Sequence, residues 1–153
     1  MKLTQTVVGI TALVVAGCAN RMNTMVAPAY QGKTTPVPSL GLTGGGASVA
    51  FPAFVQKGYK IVDISSTNND PIEEAKKKSI PFLATVDKVG TDGSSWDGFF
   101  DYSLRVTETE NGSIVWSATA EYGQGGLLIN QVKSSNKAMH DIVEKFSENF
   151  PPK

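Results

Sequence analysis

A mixed β-sheet with helices packed on it, of the α/β (α+β) class, is what three patterns in this sequence predict. Apolar and polar residues alternate on both sides of Asn111-Gly112, the signature of a C-terminal antiparallel hairpin. Met139, Ile142, Val143, Phe146 and Phe150 fall at helical spacing and form one apolar stripe. Between Tyr59–Ile64, rich in β-formers, and the apolar run 81–89 stands Asp70-Pro71-Ile72-Glu73, a helix start. With a first strand and a first helix upstream, the order is β-α-β-α-β-β-α.

The chain begins with a basic residue, Lys2, and an apolar run from Val7 to Ala16 that is too short to span a bilayer. The run ends at Val15-Ala16-Gly17-Cys18, which holds the only cysteine. This ending resembles the bacterial lipobox, with an aliphatic residue at Val15, small residues at Ala16 and Gly17, and then the cysteine. The resemblance implies that residues 1–17 are a signal peptide that is removed and that Cys18 is acylated. It also implies that Ala19, where an aspartate favours the inner membrane, directs the protein to the outer membrane. Several acyl chains on one cysteine make a firm anchor.

Removal of residues 1–17 leaves 136 residues, one domain with a modest core, carrying 13 basic and 14 acidic side chains. That balance argues against a nucleic-acid surface. A single cysteine allows no disulfide within the chain.

Residues 18–46 are rich in Pro, Gly, Ser and Thr and read either as a tether or as a tether with a first strand at 24–30. The periplasmic α/β domain is then 47–153. Gly44-Gly45-Gly46 opens Ala47–Lys57, a helix capped by Gly58 or, because of Pro52, an extended segment. A glycine loop entering a helix can hold phosphate. Here no Gly-Lys-Ser/Thr follows and no clear strand precedes, so a plain loop is the reading. In the helix opened by Asp70, Glu73 is placed to reach back as in a capping box. Glu73 with Lys77 and Glu74 with Lys78 are favourable pairs, and Lys76-Lys77-Lys78 suit the negative helix end. Phe82, Leu83, Ala84 and Val86 indicate a strand buried on both faces. The loop 90–98 contains Trp96, and its Asp92 and Asp97 do not match an EF-hand spacing.

In the hairpin both apolar sets, Phe100 to Val106 and Ile114 to Ala120, lie on even numbers. A two-residue turn would put them on opposite faces. A three-residue loop, Glu110-Asn111-Gly112, sets Thr109 opposite Ser113, Val106 opposite Trp116 and Leu104 opposite Ala118, with a type I turn and a bulge at Gly112. Beyond the strand-breaking Gly123 to Gly126, Leu127 to Val132 is a short extension and the last helix covers about 135–150. His140, the only histidine, sits beside the apolar stripe as a surface or packing residue.

Three stretches resemble a set of periplasmic proteins: the amino-terminal domain of TolB, the LpoB-type activators and the periplasmic domain of CsgG. They are Lys57-Gly58-Tyr59-Lys60-Ile61-Val62-Asp63, Ala84-Thr85-Val86-Asp87-Lys88-Val89, and Asn111-Gly112-Ser113-Ile114-Val115-Trp116-Ser117. The resemblance covers roughly 46–150. It implies a sheet with packed helices and a role in envelope assembly through protein contacts, without enzymatic activity.

The functional expectation is an outer-membrane lipoprotein, facing the periplasm, that binds a protein partner such as a cell-wall synthase or a secretion factor. A subunit of a curli-type secretion channel, hence a homo-oligomer, is the second reading, and a small-ligand binder the third. The sequence shows no catalytic constellation, metal set or cofactor motif, though Asp97 with Asp101 would be the acid–base pair of an enzyme. Trp96 and Phe99, with Arg105 and Lys88, are the candidate partner-binding residues, because exposed aromatics anchor interfaces.

Overall fold

The computed structural model describes residues 21–64, 69–88, 99–123 and 135–153. It contains one six-stranded mixed sheet with helices on both faces. The strands are β1 (Arg21–Val26), β2 (Leu40–Thr43), β3 (Ile61–Asp63), β4 (Phe82–Lys88), β5 (Phe99–Glu108) and β6 (Ile114–Gly123). The helices are α1 (Ala47–Gln56), α2 (Pro71–Lys77) and α3 (Ser135–Asn149). Strand order is β1-β6-β5-β4-β2-β3. Strands β2, β3 and β4 run parallel, and the neighbours β4–β5, β5–β6 and β6–β1 are antiparallel.

From β2 onward the order is β-α-β-α-β-β-β-α, one strand more between α2 and α3 than the predicted order, and β1 is added before it. The tether reading of 18–46 is corrected from Arg21 on. This stretch supplies two strands, β1 ends at Val26, and Pro28–Tyr30 form a 3-10 turn. The β2 side chains show why the segment is ordered. Leu40 and Leu42 are fully buried on one face. On the other, Gly41 lets Ile64 and Leu83 close in, since an added Cβ would lie 3.1 Å from each.

Helix α1 forms despite Pro52. Ser48, whose carbonyl loses its i+4 donor, and Pro52 itself both lie on the exposed side, so the Ser48 carbonyl is open to solvent. Gly58 caps the helix end with φ +98°, as expected. In α2, Asp70 accepts a 2.8 Å hydrogen bond from the Ile72 amide. Glu73 pairs forward with Lys76 at 2.9 Å, instead of reaching back or meeting Lys77. Glu74 meets Lys78 at 3.3 Å, as predicted.

The hairpin register holds where it matters and differs at the turn. Val106 faces Trp116 and Leu104 faces Ala118. The loop, however, has four residues. The Glu108 amide donates to the Ser113 carbonyl, and the Gly112 amide donates to the Glu108 carbonyl, both at 2.9 Å. Gly112, at φ +72°, closes this four-residue loop in the left-handed conformation, and the bulge predicted there lies in β6 instead. Parity is restored by an irregularity in β6: Thr107 pairs with Ile114 while Val106 pairs with Trp116. Val115 is the extra residue, so it turns inward and is buried. Ile114, expected inside, is 42% exposed.

The larger core lies between the sheet and the layer of α1 and α3. It joins Leu40, Leu42, Ala84, Val86, Leu104, Val106, Trp116 and Ala118 to Phe54, Met139, Ile142, Val143, Phe146 and Phe150. Phe146 stacks on Phe150 at 5.1 Å and meets Trp116 edge-on at 5.3 Å. A smaller core, Ile64, Ala75, Ile80 and Leu83, lies under α2 on the opposite face. The C-terminus closes the fold. The Val37 amide donates to the Pro151 carbonyl at 2.8 Å, and the Lys153 amide donates to the Val37 carbonyl at 3.1 Å.

Candidate interaction surface

The antiparallel hairpin and β1 have only one of their two faces covered by the described residues. Toward α1 and α3 the hairpin presents Tyr102, Leu104, Val106, Trp116, Ala118 and Ala120, all buried. Alternation then puts Arg105, Ser117, Thr119, Asn23 and Met25 on the other face, running outward from the edge of α2. Met25 is 53% exposed. Arg105 is on this face as a cross-strand diagonal partner of Asp87, at 2.9 Å with both side chains well exposed. An exposed pair of this kind contributes about 0–1 kcal/mol to stability, so both groups can be drawn into another contact at little cost. A shallow groove beside it is lined by Asp70, Ile72, Leu83, Thr85, Thr107 and Ile114.

A second group of polar residues gathers at the β5–β6 turn. The Tyr30 hydroxyl donates to Glu108 Oε1 at 2.9 Å, and Asn111 Nδ2 donates to Glu108 Oε2 at 2.6 Å. Burial, with the hydrogen bond to Glu108 and its negative charge, pushes the Tyr30 phenol from 10.0 up to about 12. A groove of about 720 Å³ runs past this group between Lys33, Thr35 and Ile114. On the helical side, Phe51 and Val55 stand out from α1, 45% and 47% exposed.

The glycine run is explained by packing. Gly44 adopts φ +97° and its absent Cβ would fall on the Val86 carbonyl oxygen. The Gly46 amide donates to that carbonyl at 2.8 Å. A strand, β2, does precede this loop, contrary to the sequence reading, yet the Gly46 amide is turned onto β4 and is spent there. Among the described residues, no group of three or more metal-ligating side chains occurs.

Of the residues singled out from sequence, Cys18 and the lipobox residues Val15, Ala16 and Gly17 lie outside the described residues, as do Trp96 and Asp97. Phe99 begins β5 opposite Gly123, and Asp101 pairs with Glu121. Lys88 ends β4, exposed. His140 is half-buried beside the groove between α1 and α3. Sequence reasoning missed the Tyr30–Glu108–Asn111 group, because nothing in the spacing of residues 30 and 108 signals that they meet.

The architecture is that of an α+β domain. No family matches the sequence, and no curated protein matches it. Among solved structures, a PelC dodecamer from Paraburkholderia phytofirmans, in a single-substitution variant, is similar with a TM-score of 0.61 at 14% identity, over 88% of this chain and 100% of that one. A second PelC dodecamer structure from the same organism gives 0.58 at 14% identity, over 82% and 95%. Lipoprotein GNA1162 from Neisseria meningitidis gives 0.50 at 11% identity, over 72% and 99%. At these identities the likeness is one of fold, and it is a fold that a bacterial lipoprotein shares.

Proposed function

We propose that this chain is an outer-membrane lipoprotein, anchored through Cys18, that works in the periplasm as a protein-binding component of an envelope assembly and acts by binding without catalysis. The observation that carries this reading is the lipobox at 15–18 standing directly before a domain with the fold of lipoprotein GNA1162. The half-covered sheet with Arg105 supports a protein partner. The finer kinship with LpoB-type activators rests on the three sequence stretches quoted above. Crosslinking in intact cells, followed by affinity purification and mass spectrometry, tests the reading. Recovery of one envelope protein, such as a cell-wall synthase or a secretion factor, supports it. Chains that carry no acyl group on Cys18 and trap no partner end it.

A second reading is favoured by one observation: the similar PelC structures are dodecamers. On this reading the chain forms a closed ring of its own copies as an accessory to an export or assembly machine. A curli-type channel would need membrane-spanning hairpins beyond β5 and β6, which are both flanked by other strands of the domain sheet. The mass of the detergent-extracted particle decides. A monomer that stays monomeric across concentrations removes the ring.

A further inference from the structure

We infer that the domain stands directly on the membrane on one end of its sheet, the end where β1 begins, and holds its β5–β6 turn away from the lipid. The inference rests on the lipid-anchor reading of Cys18. Only Ala19 and Asn20 separate Cys18 from Arg21, the first residue of β1. Three residue steps of fully extended chain reach about 10–11 Å. An acyl anchor holds its cysteine at headgroup level, so Arg21 is held within that distance of the headgroups. A long flexible tether does not intervene, because residues 21–26 are hydrogen-bonded into the sheet against β6.

Register then identifies what else lies at that end. Arg21 pairs with Glu121 near the end of β6, and Glu121 pairs with Asp101 near the start of β5. Lys88, the last residue of β4, pairs with Tyr102. Strand β2 runs parallel to β4 and ends at Thr43, followed by the start of α1. The opposite end carries the Tyr30–Glu108–Asn111 group, the Gly112 turn, Ser79 after α2, and the Val37–Pro151 closure. At about 3.3 Å per residue, the ten residues of β5 separate the two ends by about 30 Å.

The sides of the domain are less suited to lie on lipid. The outer side of α3 carries exposed Glu144, Lys145 and Glu148, and the open sheet face carries Arg105 and Asp87. Laying either side flat would press these charges onto the bilayer, whereas end-on placement leaves them in water. End-on placement leaves the grooves beside Glu108 open toward the periplasm, where a protein partner would reach them. Lys88, where β4 ends, and Phe99, where β5 begins, both lie at the membrane end.

The test uses the full-length lipidated protein in vesicles of phosphatidylethanolamine and phosphatidylglycerol that carry a headgroup quencher. The natural chain has one cysteine. Once that is acylated, an introduced cysteine is the only thiol a fluorophore can label. Lys88→Cys should be quenched several-fold more than Asn111→Cys, with Asn23→Cys, level with Ser103 midway along β5, falling between them. Inserting about twenty Gly/Ser residues after Asn20, with an r.m.s. reach on the order of 25 Å, should abolish the difference. Equal quenching at the two ends, or stronger quenching at Asn111→Cys, overturns the end-on placement. Mass spectrometry of the N-terminal peptide is read separately. An unacylated Cys18 overturns the anchor reading, whereas an acylated protein with equal quenching overturns only the orientation.

Discussion

The two faces of the sheet are built to different depths. Toward α1 and α3, strands β2, β4, β5 and β6 contribute buried residues to one continuous core, closed by an aromatic group of Phe54, Tyr59, Trp116, Phe146 and Phe150. Toward α2, four of the described residues make up the buried core, and no described residue covers the hairpin and β1. Burial of apolar area carries most of the stability. The thick face therefore holds the fold, and the thin face is free to vary in surface chemistry. Binding residues such as Arg105 sit where substitution costs the fold least.

Truncation in each core measures the difference. Trp116 is 1% exposed and fits edge-on against Phe146. Trp116→Ala should lose about 3–5 kcal/mol, the range for a large aromatic cut from a core, and leave a marginal domain. Leu83 belongs to the small core and is 2% exposed. Leu83→Ala should cost about 2–3 kcal/mol, toward the lower end for such truncations, because the small core can partly collapse onto Gly41. Denaturant midpoints with unchanged slopes would read both. If Leu83→Ala proved the more costly of the two, the thick-and-thin picture would be wrong.

A second pair of residues compares depth by pH. Tyr59 donates to the Phe150 carbonyl at 2.5 Å inside the thick core, and burial, then the charge of Glu144, raises its phenol pKa well above 10.0. Tyr30, nearer the surface, is raised to about 12. Both groups stay neutral in the folded chain while the unfolded chain ionises. Their stabilisation is complete below pH 10 and is lost as pH climbs from 10 toward 12. Tyr30→Phe should remove the part of the alkaline destabilisation due to Tyr30 and leave the part due to Tyr59. Melting curves of wild type and Tyr30→Phe between about pH 9 and about pH 12 check this, and an unchanged alkaline slope in Tyr30→Phe would contradict it.

The sequence revealed elements in proportion to the length of their patterns. Helix α3 was legible because five apolar residues repeat at helical spacing, and all five are buried. The hairpin register was legible from parity, since one slip would turn its whole apolar set outward. The turn was less so: a bulge at Val115 and a longer loop give the same pairing of Val106 with Trp116 as a shorter loop without the bulge. Strand β2 was hidden, because its two leucines flank a glycine that only tertiary crowding by Ile64 and Leu83 explains. Its neighbours Pro36, Pro38 and Gly44 to Gly46 look like a linker until the loop is seen riding over Val86. The Tyr30–Glu108 contact joins residues 78 positions apart and has no local signal.

The smallest expected effect on stability separates fold from function most directly. Arg105 meets Asp87 in the open, and Arg105→Ala should change stability by less than about 1 kcal/mol. If the uncovered sheet face binds a partner, the same substitution should reduce recovery of that partner in cells several-fold, because an arginine at the centre of an interface is a frequent anchor. Asp87→Ala leaves Arg105 unpaired but present, and should retain the partner better than Arg105→Ala does. Equal recovery from wild type and Arg105→Ala would move the binding surface away from this face, toward the far end where Glu108 and Lys33 line the larger groove.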